Sequence, residues 1–426
     1  MKLFQQMLVA GASISLIAPL AAQASDVVSL EEIQSYARSE KNSTRFDSNT
    51  FINDVSEDIA NINARIDALE VNQNVIEAGS FSDTTTLSGK AIFTLGAVDN
   101  PSLTADYGTL GEGVAAQYTY QMNLNTSFTG DDDLYVRLKT GNAAASFKNK
   151  LMGTYLSSTN TYNDDLKVDK IWYSFPIGDS FTAWIGPKIE NYYMHGASPS
   201  IYSPVLKGFK LGGNGAAYGA STDSGFGIAY NGDNGFSISS NIVSDQNGVA
   251  NGGFLTNEVD ENWSTQIAYT KPNYHVSLML AQKYDGWKDE YYSTALGSAR
   301  TSGSTNYGLR AYWRPEESGT ATPEISLGYD VSYIDDATST TDETDAYFVG
   351  LNWKDMFQPD DKIGIAFGQP QTREDETVDP FMWEAYYSFK PNDSVTITPA
   401  IFGGTDVNGT AGEDITGAVI ETTFKF

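Results

Sequence analysis

From Leu87 to Phe426 the sequence is a succession of runs of about ten residues in which apolar and polar side chains alternate, a period of two that belongs to β-strands. LSGKAIFTLGAV, VAAQYTYQMNLN, NYGLRAYWR, PEISLGYDVSYI and FMWEAYYSFK are examples. In NYGLRAYWR, Tyr307, Leu309, Ala311 and Trp313 share one face, while Gly308, Arg310, Tyr312 and Arg314 share the other. The connections fall into two classes. Tight ones at 129–132, 176–179, 232–235, 271–273, 314–320, 354–361 and 390–393 alternate with longer ones near 99–113, 140–165, 189–224, 244–261, 285–303, 335–343, 369–379 and 403–413. Seven short and eight long connections imply 16 strands.

A soluble sandwich scatters its loop lengths over both ends. Short turns on one end, long loops on the other, an even strand number and one lipid-compatible face per strand describe a closed antiparallel barrel of the outer-membrane kind. GAVIETTFKF, with Ala418, Ile420, Thr422, Phe424 and Phe426 on one face, is the expected closing strand, since a sheet in lipid cannot leave an edge unpaired. A terminal Phe after alternating apolar residues also looks like the signal read by the bacterial barrel-insertion machinery.

Upstream the pattern differs. Lys2, the apolar run LVAGASISLIAPLAA and Ala22-Gln23-Ala24 read as a secretion signal over 1–24, followed by a flexible leader over 25–50. Ile52, Val55, Ile59, Ile62, Ile66, Leu69, Gln73 and Ile76 follow at intervals of three and four, which predicts a coiled-coil helix over 51–78. Isoleucine at both seam positions favours a trimer; the alternative is an amphipathic helix packed on the domain behind it. A linker over 79–86 then leads into a barrel over 87–426.

The formal charge of −28, with no basic stripe, argues against nucleic acid as a partner. With no Cys and only His195 and His275, parts for a nucleophilic or metal-dependent enzyme are missing, and no cofactor or metal ligand set is expected. The acidic clusters Asp131-Asp132-Asp133, Asp335-Asp336, Asp342-Glu343 and Glu374-Asp375-Glu376 lack calcium-loop spacing and read as solvated loop charge.

At the junction, ARIDALEVNQNVIEAGSFSDTTTLSGKAIFTLGA (64–97) resembles the corresponding stretch of cyanobacterial outer-membrane porins, where a coiled coil of the form RVDxLE leads through a Ser/Thr-rich link into a first strand like LxGKAxFxxGA. MKLFQQ is similar to the signal-peptide start of marine cyanobacterial members. These proteins belong to the wider carbohydrate-selective porin family and are sometimes called iron-uptake porins. The resemblance implies an outer-membrane porin, passively passing inorganic ions and small hydrophilic solutes, with sugars and iron as further candidates. Members carry an S-layer-homology domain before the coiled coil; here about 25 residues fill that interval, so its anchoring role is not carried over. The alternative is a non-conducting surface barrel acting through its coiled coil and acidic loops.

The third long segment is the longest and least periodic. Folded into the lumen, it would bring Tyr192, Tyr193, His195, Tyr202, Lys207 and Lys210 to a constriction, where diameter and wall charge decide passage; folded outward, it would cover the mouth or touch a neighbour. If the apolar rows face lipid, Lys90, Arg137, Lys139, Lys283, Arg310 and Arg314 face the lumen, against Asp330, Glu384 and Glu421. Of Trp313, Trp353, Trp383, Tyr347 and Tyr387, most fall on the outward row or near strand ends, where membrane girdles are expected. The partners expected are therefore membrane lipid, two further copies of the chain and the solutes in transit.

Overall fold

The computed structural model of the protein describes residues 84–99, 113–219, 222–245, 253–256, 258–335 and 341–426. The secretion signal, the leader, the coiled coil and all but the last three residues of the linker lie outside the described residues. Sixteen antiparallel strands follow in chain order: β1 (Thr85–Asp99), β2 (Ala115–Thr126), β3 (Asp133–Gly141), β4 (Lys167–Ile177), β5 (Phe181–Ile189), β6 (Asp223–Asn231), β7 (Phe236–Ser244) and β8 (Glu261–Thr270). The second half comprises β9 (Tyr274–Tyr284), β10 (Ser304–Trp313), β11 (Glu324–Ile334), β12 (Glu343–Lys354), β13 (Lys362–Arg373), β14 (Phe381–Asn392), β15 (Val395–Thr405) and β16 (Ile415–Lys425).

Each strand pairs with its chain neighbours, and β1 pairs with β16, so the sheet closes on itself and leaves no edge. The seam runs from Lys90 opposite Lys425 to Asp99 opposite Thr416. Beyond β16, Phe426 still exchanges backbone hydrogen bonds with Gly89, at 2.8 and 3.1 Å, and its ring stacks 5.8 Å from Tyr120.

The strand alternation sorts side chains as a lipid-facing barrel requires. On β10, Tyr307, Leu309 and Trp313 are exposed on the outer wall, whereas Arg310 is fully buried inside. Phe93 and Leu95 on β1, Leu278 on β9 and Leu327 and Tyr329 on β11 extend the outer apolar band. Among the described residues no helix is long and apolar enough to cross a membrane, so the crossing falls to the strands.

Connections at the two ends differ. The turn 127–132 is organised by Asp132, whose carboxylate accepts from the Phe128 and Thr129 amides at 2.9 and 2.7 Å and from the Tyr173 hydroxyl at 2.7 Å. Asp361 repeats the device in the turn 355–361, accepting from the Met356, Phe357 and Gln358 amides and from the Tyr387 hydroxyl. Length sorts the two classes less cleanly than the sequence suggests. The turn-side connection between β10 and β11 spans 314–323, longer than the loop-side connection 335–342, because β11 begins only at Glu324.

Candidate functional site

Polar residues line the inner wall, and long loops lie on them. The third loop, described over 190–219, enters the barrel rather than capping it. Its backbone is held by side chains projecting inward from six strands. Gly196 donates to Ser239 Oγ of β7 at 3.0 Å, and Gln266 of β8 both accepts from the Ala197 amide and donates to the Ala197 carbonyl. Ile201 donates to Ser326 Oγ of β11, and Ala216 to Gln371 Oε1 of β13. Glu384 of β14 accepts from the Tyr202 hydroxyl and from the Val205 and Leu206 amides, at 2.9, 3.2 and 2.7 Å. Arg310 of β10 donates to the Leu211 and Gly213 carbonyls and pairs with Asp330 of β11 at 2.7 Å, with its guanidinium 4.5 Å from the Tyr218 ring centre.

Such an approach needs bare wall. A Cβ on Gly328 would stand 1.9 Å from the Gly212 carbonyl oxygen, so only glycine admits the loop there. Leu211, Gly212 and Gly213 take positive φ at the same contact, the conformation that turns the loop along the wall.

Two other loops join the third. In the second, 142–166, Ser157 donates to the Val205 carbonyl and Lys207 donates back to the Tyr155 carbonyl, at 2.7 and 2.8 Å, around a bridge between Leu156 and Leu206. The fifth loop, 285–303, exchanges backbone hydrogen bonds with Gln371 through Tyr292 and Thr294. It also buries Tyr292 beside Phe209 and Phe348 in an apolar cluster inside the barrel. Together the loops cover the inner faces of the strands on the β7 to β14 side.

Opposite them, against β1 to β4, a polar cavity of about 300 Å³ remains. Lys90, Gln121, Arg137, Lys139 and Asp169 line it from the wall; Tyr192, Lys207 and Lys210 do so from the third loop, and Tyr155, Tyr162 and Tyr291 from the other two. Its carboxylates are Asp169 and Glu190. Asp169 is tied to Arg137 and accepts from the Tyr162 hydroxyl at 2.6 Å, and Glu190 is tied to Lys170. Lys90, Lys139, Lys207 and Lys210 make no ion pair among the described residues. Lys207 instead lies 4.9 Å from the Tyr291 ring centre and Lys210 5.1 Å from that of Tyr192.

Burial among the loops would raise the Glu190 carboxyl, but Lys170, Lys207 and Lys210 together hold it well below the usual carboxylate range. Burial, reinforced by Lys207, lowers the Lys210 ammonium to about 7. His195 is lowered to about 3 by burial, so its imidazole is neutral, beside Asn241 and edge-on to Tyr218.

The residues expected at a constriction therefore separate. Tyr192, Lys207 and Lys210 line the cavity; Tyr193 packs on Trp172 and Tyr135, and His195 and Tyr202 are turned into the barrel filling. Of the wall set, Lys90, Arg137 and Lys139 face the cavity. Lys283, paired with Asp289, and Arg310, Asp330 and Glu384 point inward but are sealed beneath the loops. Glu421 is bound by the Ser158 hydroxyl of the second loop, and Arg314 lies beyond the end of β10, over the Tyr312 ring. Simple alternation misses Asp169 and Lys170 because the β3–β4 register shifts between Arg137 and Leu138, leaving Asp169 as an extra residue, so that Asp169 and Lys170, adjacent in sequence, are both buried while Val168 stays exposed. Among the described residues, no group of three or more His, Cys, Asp or Glu is arranged to hold a metal ion.

Residues 53–403 match the family described as carbohydrate-selective porin, OprB family. The chain belongs to that family. This porin is 27% identical to the uncharacterized protein alr4550 of Nostoc sp., over 87% of this chain and 70% of that one. It is 23% identical to the uncharacterized protein sll0772 of Synechocystis sp., over 82% and 70%. Among solved structures, the anion-selective porin from Comamonas acidovorans superposes with a TM-score of 0.53 at 12% identity, covering 80% of this chain and 99% of that one. A loop-deletion form of OmpT from Vibrio cholerae gives 0.51 at 12% identity, covering 80% and 99%. These likenesses are of fold, a 16-stranded porin barrel, and with the family they identify an outer-membrane channel protein.

Proposed function

We propose that this porin is a passive diffusion pore for small hydrophilic solutes and inorganic ions, with its narrowest passage between the third loop and the wall of β1 to β4. The observation that carries the reading is the cavity left there, lined almost wholly by polar and charged side chains, beside loops that pack an apolar cluster into the barrel interior. Water and ions follow polar walls, and passage through such a site is set by its diameter and charge. Sugars are a further candidate through the family's description, and iron remains one through the sequence resemblance. Export through residues 1–24 and association of three copies through the coiled coil of 51–78 belong to the same proposal.

The experiment is conductance recording with the purified full chain in planar lipid bilayers. Stepwise, voltage-independent openings of uniform size support the pore. A silent, correctly folded barrel would favour the second reading, a closed surface protein, for which the packing of three loops inside the lumen is the supporting observation. Liposome swelling with sugars of graded size then measures the largest solute admitted.

A further inference from the structure

We infer that the passage between the third loop and the β1 to β4 wall is a transit site for small oxyanions, of the phosphate, sulfate and short carboxylate class. The inference rests on the diffusion-pore reading and adds the sign and chemistry of what passes. Its ground is a mismatch between the whole chain and this one place. The chain carries a formal charge of −28, yet the cavity is lined by Lys90, Arg137, Lys139, Lys207 and Lys210 against only Asp169 and Glu190. Both carboxylates are already committed, Asp169 to Arg137 and Glu190 to Lys170. The four lysines that remain come from both sides of the gap, Lys90 and Lys139 from the wall and Lys207 and Lys210 from the loop.

Unpaired ammonium groups facing one another in a cavity bounded by protein repel and need counter-ions. Asp169, Glu190 and the neighbouring Glu421 are outnumbered by Lys90, Arg137, Lys139, Lys170, Lys207 and Lys210, so a mobile anion from solution balances the excess. The Tyr155 hydroxyl on the same cavity adds a neutral donor for an oxyanion, those of Tyr162 and Tyr291 being engaged with Asp169 and Tyr155. The donor type also sets how tightly the anion is held. Arg137, the one guanidinium lining the space, spends its fork on Asp169, and a lysine binds phosphate as a hydrated point charge without bidentate geometry. The site therefore draws anions in without retaining them, which is the condition for conduction rather than storage. The acidic excess elsewhere does not oppose this, since charges in the outer loops act across salt solution and are screened within about 10 Å.

The test uses the full-chain porin in planar bilayers with a KCl gradient, followed by inorganic phosphate as probe. The zero-current voltage is expected to report chloride passing in preference to potassium, and added phosphate to reduce the chloride current in a concentration-dependent way. Lys139→Gln and Lys207→Gln are each expected to lower the chloride-to-potassium permeability ratio about threefold and to weaken the phosphate effect. Lys139→Arg restores the ratio, and Lys148→Gln, on the exposed part of the second loop, leaves it unchanged. Stepwise conductance with potassium preferred would overturn the inference while leaving the pore standing. Chloride preference unaffected by phosphate and by both glutamine variants would overturn the location of the site. Loss of all conductance in the native chain would remove the pore reading and this inference together.

Discussion

Arg310 shows what a single inward residue does in this barrel. It has no exposure to solvent, and its donors go to Asp330, to two carbonyls of the third loop and to neighbouring strand carbonyls. Removing one partner of a buried, hydrogen-bonded pair leaves the other charge uncompensated, at a cost of about 3 kcal/mol or more. Arg310→Ala is thus expected to lower the urea midpoint of the detergent-solubilised porin, with the double change Arg310→Met, Asp330→Leu recovering much of the loss. Lys210 supplies a different prediction. Burial, then Lys207, Lys170 and Arg137, depress its ammonium and Glu190 opposes them, leaving it at about 7. A lowered lysine is charged below that value and neutral above it. Anion preference in bilayer recordings should therefore fall about twofold between about pH 6 and pH 8.5, and Lys210→Gln should weaken the dependence.

At the scale of elements, the third loop and the wall beneath it are matched parts. Gly328 leaves room for the Gly212 carbonyl, and Glu384 collects three donors from residues 202–206. Glu384→Ala leaves those donors unsatisfied, and Gly328→Val drives a side chain into the loop. Both are expected to raise mean single-channel conductance and its noise while the barrel still resists unfolding in cold detergent; unchanged conductance would place the limiting gap elsewhere. That the third segment is long and aperiodic was legible in the sequence, and so were Tyr192, Lys207 and Lys210. Why His195 and Tyr202 turn away was not, since that depends on the wall side chains they meet across the lumen, Asn241 for His195 and Glu384 for Tyr202. Asp169 was hidden for a similar reason: one extra residue in β4 inverts the strand's period at that point.

For the whole molecule, strand number and facing follow from period two and the spacing of turns, because closure in lipid admits few alternatives. Loop placement is not encoded in any period, so the second and fifth loops' entry into the lumen needed the structure. Closure itself is testable at the seam, where Phe426 holds Gly89 by two backbone hydrogen bonds and stacks on Tyr120. Deleting Phe426 should reduce the fraction of protein that migrates as a folded form in unheated gels, without changing the conductance of the channels that do assemble.

The central claim is the proposed route for solute, between the third loop and the wall of β1 to β4 rather than behind the loops. The natural chain has no cysteine, so single cysteines report without background. Lys139→Cys lies in the proposed passage, and Ser264→Cys faces inward from β8 with no solvent exposure. A bulky, water-soluble thiol reagent added during bilayer recording should cut the current through Lys139→Cys channels and leave Ser264→Cys channels unchanged. Block at Ser264→Cys with none at Lys139→Cys would contradict the account.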